Sequence, residues 1–207
     1  MWVKICGITR LEDAVSAARF GADAVGFIFA DSPRRVSEEV AREISRRMPE
    51  GPARVGVFAD ASLDEVRGVA SRCGLDMVQL HGSEDPAYCD TLGDTAIKTV
   101  MVKDGLDVFE VNRYGCPMVL VEACSGSGPA DNGEQFDWAS LRLVGRKKRL
   151  VAAGGLRPDN VAEVVKAARP YGVDVASGVE SGPGVKDPVL MYRFIESARR
   201  AGYGVSA

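Results

Sequence analysis

In 207 residues the chain carries a single histidine, His81. A catalytic zinc site draws on two or three histidines beside a carboxylate or thiolate, so no metal is expected here. Five cysteines (Cys6, Cys73, Cys89, Cys116 and Cys124) form no CxxC pair and leave one over. That is the usage of a reducing compartment, not of a disulfide framework. No apolar run approaches the roughly 20 residues of a spanning helix. Met1 leads straight into a strand-like stretch, with no basic-then-apolar leader. Excess charge is missing too: 26 basic against 29 acidic residues leave a net charge of −3, too little for a nucleic-acid or anionic-membrane footprint. These absences lead us to expect a cytoplasmic protein that engages neither nucleic acid nor membrane.

What is present is alternation. Strand-length apolar runs (Val3–Cys6, Asp23–Phe29, Arg54–Phe58, Met77–His81, Ala96–Val102, Met118–Glu122, Arg149–Ala153 and Val173–Ser177) alternate with helical patterns. Ser37 reads as an N-cap followed by Glu38 and Glu39, Ser62 or Asp60 as the cap of a helix over Leu63–Cys73, and Pro86 as a first helical residue. Further helices are expected over Leu11–Phe20, Leu106–Arg113, Trp138–Val144 behind Asp137, Pro158–Arg169 and Pro188–Ala201. Eight strand–helix units of about 26 residues each suit a compact α/β (βα)8 barrel. A doubly wound sheet alternates in the same way, but eight units without a clear edge strand favour closure. No linker composition interrupts the chain, so residues 1–207 read as one domain.

In such a barrel the chemistry sits at the C-terminal ends of the strands, and strand alternation says which side chains share a face. Lys4 and Cys6 oppose Val3 and Ile5. Gln79 and His81 oppose Val78 and Leu80, Glu122 opposes Val119 and Val121, and Asp174 opposes Val173 and Val175. With the β-branched set outside, under helices, the polar set points inward, which is costly unless paired or used. Strands one and eight are neighbours in a closed barrel, so Lys4 and Asp174 are a candidate pair. Strands one and six lie nearly opposite, so Cys6 and Glu122 are candidates to flank a substrate. Glycine-bearing turns follow strand seven (Gly154-Gly155) and strand eight (Ser177-Gly178). Turns of this kind let backbone N–H groups approach a phosphate.

The motifs Lys4-Ile5-Cys6-Gly7-Ile8-Thr9, Ser32-Pro33-Arg34, Val78-Gln79-Leu80-His81-Gly82, Phe136-Asp137-Trp138, Gly154-Gly155-Leu156-Arg157-Pro158-Asp159-Asn160 and Val173-Asp174-Val175-Ala176-Ser177-Gly178-Val179-Glu180 occur in this order. Together they resemble the phosphoribosylanthranilate isomerase family, from Val3 to the last helix. The resemblance implies a single-domain TIM barrel, monomeric or homodimeric, acting on a small phosphosugar–anthranilate substrate without a cofactor. It implies an Amadori rearrangement of N-(5-phosphoribosyl)anthranilate to 1-(o-carboxyphenylamino)-1-deoxyribulose 5-phosphate in tryptophan biosynthesis. By resemblance Cys6 is the general base, and Lys4 is expected to favour its thiolate. Arg34 is mapped onto the anthranilate carboxylate, His81 and Asp174 onto substrate-lining positions, and Gly154, Gly155, Ser177 and Gly178 onto the phosphate turns. Two departures stand out. Glu122 occupies the place where the family carries an aspartate general acid, and Ala130-Asp131-Asn132-Gly133 replaces a glycine-rich loop. Asp131 and Asp174 are alternative acids.

Other phosphosugar barrels, such as indoleglycerol-phosphate synthases and aminoimidazole ribotide isomerases, use lysine with glutamate or a pair of aspartates instead. A different class of reading is a phosphosugar-binding barrel of the same family with weakened or lost turnover. Arg46-Arg47 and Arg146-Lys147-Lys148-Arg149 read as solvated helix ends, and Cys73, Cys89, Cys116 and Cys124 as incidental.

Overall fold

The computed structural model describes residues 1–103, 105–125, 128–129, 136–144 and 148–203. Eight parallel strands follow in chain order: β1 (Trp2–Ile5), β2 (Ala24–Ile28), β3 (Ala53–Phe58), β4 (Met77–Leu80), β5 (Ala96–Val102), β6 (Met118–Ser125), β7 (Arg149–Ala153) and β8 (Gly172–Val175). Each pairs with its successor, and β8 pairs back onto β1, which closes the barrel. The α-helices are α1 (Leu11–Arg19), α2 (Glu38–Arg47), α3 (Leu63–Cys73), α4 (Pro86–Leu92), α5 (Val108–Asn112), α6 (Val161–Ala168) and α7 (Pro188–Tyr203). After β8 the chain forms a small antiparallel pair, β9 (Glu180–Gly182) with β10 (Val185–Lys186).

Local chemistry sets the helix ends. The Ser37 and Ser62 hydroxyls accept from Val40 N and Glu65 N, and the Asp85 carboxylate accepts from Tyr88 N one residue before Pro86. Ser62, not Asp60, is therefore the cap of α3. Three expected helices differ in extent or kind. Asp107 accepts from both Phe109 N and Glu110 N, so α5 starts only at Val108. Arg157–Asn160 is occupied by a turn in which Asn160 Oδ1 accepts from Arg157 N, so α6 starts at Val161 and not at Pro158. Trp138–Val144 forms a 3-10 helix behind Asp137, whose carboxylate accepts from Ala139 N.

Two apolar clusters divide the core. One lies between strands and helices and takes Val3, Ile5, Val25, Val78, Val119, Val121, Val173 and Val175 with the helix faces. The other fills the barrel with Ala24, Val55, Ile97, Met118, Leu120, Val151 and Ala153, against Trp2, Ala53 and Met77. Each fully buried Val or Leu contributes about 1.5–3 kcal/mol, so the lower and middle barrel is a packed plug. Polar side chains are left the C-terminal rim. Strand five breaks the inward-polar pattern, because Lys98 lies on the face opposite Ile97 and Thr99. It is buried there by donating to Gly82 O at 2.6 Å and to Glu84 Oε2 at 2.8 Å. No helix among the described residues is long and apolar enough to cross a membrane.

Candidate active site

Lys4 and Asp174 face each other in the parallel register of β1 and β8. Lys4 Nζ donates to Asp174 Oδ1 at 2.9 Å, and no part of the lysine reaches solvent. Burial alone would pull the ammonium down, but the Asp174 carboxylate and Cys6 outweigh it, and Lys4 stays protonated. Cys6, one residue past β1, keeps the strand's course by donating its N–H to Val175 O at 2.8 Å. Its thiol shares the inner face with Lys4 because β2 offers Gly26 beside it. A Cβ at Gly26 would stand 2.7 Å from Cys6 Sγ and 3.1 Å from Lys4 Cε.

The thiol itself departs from expectation. Burial pushes Cys6 above its ordinary range and Asp174 adds to this, while Lys4 pulls the other way and does not prevail. The site therefore favours the thiol over the thiolate, because a buried anion loses more hydration than the Lys4 ammonium, already shared with Asp174, and the more weakly acting Lys186 return.

On the far side of the barrel, Glu122 stands on β6 with 18% of its side chain exposed. Burial raises its carboxyl above the ordinary range, Asp174 adds to this, and His81 and Lys4 oppose it. His81, one residue past β4, places Nε2 3.4 Å from Glu122 Oε2. Gln79 Nε2 lies 3.5 Å from His81 Nδ1 and donates to Thr99 Oγ1 at 3.1 Å. The two ends of the barrel rim thus hold opposite tools: a thiol beside an ammonium, and a carboxyl group whose titration burial raises.

Arg34 stands in the loop after β2, its stem packed against Gly7, where φ is +73° and an added Cβ would lie 2.7 Å from Arg34 Cδ. Its guanidinium is paired with Glu180: Nε donates to Oε1 and Oε2 at 2.8 and 3.0 Å, and Nη2 to Oε2 at 2.8 Å. Behind Glu180, the fully buried Lys186 donates to Oε1 at 2.8 Å. This carboxylate link spans 146 residues of sequence, and nothing in the local pattern of either residue announces it.

The two glycine turns close the remaining side. Gly154 has φ of +98° and Gly155 of +61°, a region that favours glycine. Added Cβ atoms at Gly154 and Gly178 would run into the Ala123 and Leu156 carbonyls. Asn160 Nδ2 donates to Gly155 O at 2.9 Å and fixes the first turn, a support that sequence reading missed. Ser177–Val179 forms a single 3-10 turn directly after β8.

A cavity of about 370 Å³ opens at this rim, and all nine candidate residues line it: Cys6, Arg34, His81, Glu122, Gly154, Gly155, Asp174, Ser177 and Gly178. Lys4 lies beneath it. Glu180 and Lys186 stand behind Arg34 and were not foreseen. A larger groove of about 560 Å³ runs outside between α6 and α7, past Lys166, Tyr192 and Arg193. Ordinary helix-surface side chains wall it, so size does not decide between the two. Among the described residues no group of three or more His, Cys, Asp or Glu is placed to hold a metal ion. Asp131, the Ala130–Gly133 loop and Arg146–Lys147 lie outside the described residues.

Comparison with known proteins converges on one family. Residues 3–197 match the model of N-(5′-phosphoribosyl)anthranilate (PRA) isomerase. An N-(5′-phosphoribosyl)anthranilate isomerase of Geobacter sp. (strain M21) is 45% identical over 199 residues, covering 96% of this chain and 98% of that one. The crystal structure of phosphoribosyl anthranilate isomerase from Thermotoga maritima superposes with a TM-score of 0.89 at 39% identity, covering 97% of this chain and 99% of that one. A phosphoribosyl anthranilate isomerase solved in complex with reduced 1-(o-carboxyphenylamino)-1-deoxyribulose 5-phosphate superposes with a TM-score of 0.83 at 38% identity, with the same coverage.

Proposed function

This chain belongs to the N-(5′-phosphoribosyl)anthranilate isomerase family, and on that premise we propose that Cys6 and Glu122 carry its reaction as general base and general acid. The reaction is an Amadori rearrangement in tryptophan biosynthesis. The observation that carries the assignment is the opposed placement of these two groups on one cavity, flanked by the glycine turns after β7 and β8.

The protons move as follows. Glu122 gives its proton to the furanose ring oxygen as the C1′–O4′ bond breaks, and the anilino lone pair closes the C1′=N bond. The Cys6 thiolate takes the C2′ proton, and the released electron pair forms C1′=C2′ and neutralises the nitrogen. The enolamine then loses its C2′ hydroxyl proton and gains one at C1′ to give the ketone. No redox partner enters, because C1′ is reduced as C2′ is oxidised. A raised Glu122 suits the acid, since more of it carries a proton near neutrality. A raised Cys6 makes a stronger base once ionised, and its thiolate has Lys4 on the same side of the cavity.

Arg34 reads the anthranilate carboxylate, His81 and Asp174 border the sugar, and the Gly154-Gly155 and Ser177-Gly178 turns take the phosphate. The substrate is thus a small phosphosugar–anthranilate conjugate. A cytoplasmic setting, supported by five free cysteines, and a monomeric or homodimeric state complete the proposal.

Freshly generated phosphoribosylanthranilate tests it. The protein consumes the substrate's fluorescence, and Cys6→Ala abolishes consumption while still binding the reduced product analogue. Tight binding with no turnover by the unaltered protein would instead mean a phosphosugar-binding barrel.

A further inference from the structure

We propose that Glu180, backed by Lys186, is a positioning residue that turns the Arg34 guanidinium so that its outer N–H edge reads the substrate's aromatic carboxylate. The inference rests on the assignment of Arg34 made above and adds to it a determinant of specificity.

A guanidinium has five N–H donors in a rigid fork. Glu180 takes the edge made by Nε and Nη2, through three contacts of 2.8–3.0 Å. That edge is closed to any ligand. The remaining Nη1 and Nη2 donors form the outer edge, which matches a second carboxylate in bidentate geometry. Arg34 is one-fifth exposed along its side chain and borders the cavity, so this is the edge left for a ligand.

Glu180 is itself fixed. Its Oε1 accepts from Lys186 Nζ at 2.8 Å and from Gly184 N at 3.3 Å, both within the β9–β10 pair. Lys186 Nζ also donates to Ala176 O at 3.0 Å. Burial opposes ionisation of Glu180, but Arg34 and Lys186 hold its carboxyl below the usual range. Arg34 and Lys186 against Glu180 leave one net positive charge, which a monoanionic aryl carboxylate balances. The opposite role on the same contacts has Glu180 occupying the place of the substrate carboxylate, to be displaced on binding. It has the opposite consequence for binding.

The experiment compares affinities for two reduced product analogues, one with the ring carboxylate and one with plain phenyl. The unaltered protein is expected to prefer the carboxylated analogue by on the order of 10–100-fold. In Glu180→Gln that preference falls to within about 3-fold while phenyl-analogue affinity is kept, and KM rises with kcat little changed. A merely structural role would weaken both analogues alike. Retained preference, or tighter binding of the carboxylated analogue, overturns the inference. If Arg34→Met keeps the preference, the carboxylate is read elsewhere and the Arg34 assignment falls with the inference. If Arg34→Met loses it and Glu180→Gln does not, only the inference falls. Should Glu180→Gln fold poorly with Lys186 unpaired, the double variant Glu180→Met/Lys186→Met removes both charges together and is read by the same ratio.

Discussion

His81 Nε2 lies 3.4 Å from Glu122 Oε2, so the only histidine of the chain meets the carboxyl group that stands where the resemblance to the family implies an aspartate. The contact gives the extra methylene of Glu122 a structural use. An aspartate at this position would end about 1.5 Å short and leave His81 facing the cavity. Burial has prepared the partner too: Gln79, below His81, has its Oε1 buried without a partner among the described residues.

Glu122→Gln is expected to lower turnover by at least on the order of 100-fold, with affinity for the reduced product analogue within about 3-fold of the original. Glu122→Asp is also expected to lose about tenfold or more, since the carboxyl retreats from both His81 and the ring oxygen. Fluorescence loss on substrate turnover measures both. Near-normal turnover in the glutamine variant removes Glu122 from the role of acid.

The pH dependence of kcat/KM should be a bell whose limbs belong to Glu122 and Cys6. On the proposed assignment, activity requires thiolate and carboxylic acid together. Because a thiol ordinarily titrates well above a carboxyl and burial raises both, this is the minority arrangement of one shared proton. Activity then rises with pH through the Glu122 titration, is level between the two, and falls above the Cys6 titration. In His81→Leu the histidine no longer pulls the Glu122 carboxyl down, so the acid limb moves to higher pH. An acid limb that stays in place or moves down contradicts the coupling.

Gly26→Ala places a methyl group 2.7 Å from Cys6 Sγ. Shifting the thiol costs about 1–3 kcal/mol of stability, and a displacement of about 1 Å costs on the order of 100-fold in turnover. Urea unfolding and steady-state kinetics on the same sample separate the two effects. Unchanged kcat despite a stability loss would show that the thiol's placement is not critical.

Gly178→Ala drives a Cβ into the Leu156 carbonyl and must move the turn after β8. The expected result is a rise in KM of about tenfold or more, with inorganic phosphate losing its ability to compete. Phosphate inhibition equal to that of the unaltered protein moves the phosphate site away from this turn.

Lys98→Met is the structural counterpart. Lys98 and Glu84 form an ion pair with 2% and 3% of their side chains exposed, outside the barrel and away from the cavity. Removing one partner leaves a buried charge and should cost about 3–5 kcal/mol in urea unfolding, while kcat of the folded fraction is kept. A large fall in kcat at full folding would tie this pair to the reaction.

The sequence by itself determined the scaffold and much of the rim. Apolar runs at regular spacing, with Ser37, Ser62 or Asp60, and Pro86 at helix starts, fix eight strand–helix units because these are local effects of backbone geometry and capping. Period-two alternation put Lys4, Cys6, His81, Glu122 and Asp174 on the inner face, and strand adjacency made Lys4 and Asp174 a pair before any distance was known. It mistook the ends of α5 and α6, where the Asp107 and Asn160 side chains compete with helical backbone bonds.

Only the tertiary structure decided what each polar group meets and how its proton is held. Arg34 and Glu180 are 146 residues apart and belong to loops that closure of the barrel brings together. The direction of the Cys6 shift depends on how deeply the thiol is buried against how much of the Lys4 charge Asp174 already claims, a balance set by burial and distance. Alternation sets Lys98 on the helix-facing side of β5 with Val100 and Val102, but the Glu84 carboxylate and Gly82 carbonyl that pair it there come from the fold. Pattern along the chain sets direction, and charge and burial act through space. The placement of Cys6 and Glu122 on one cavity was therefore readable beforehand, and the balance that holds their protons was not.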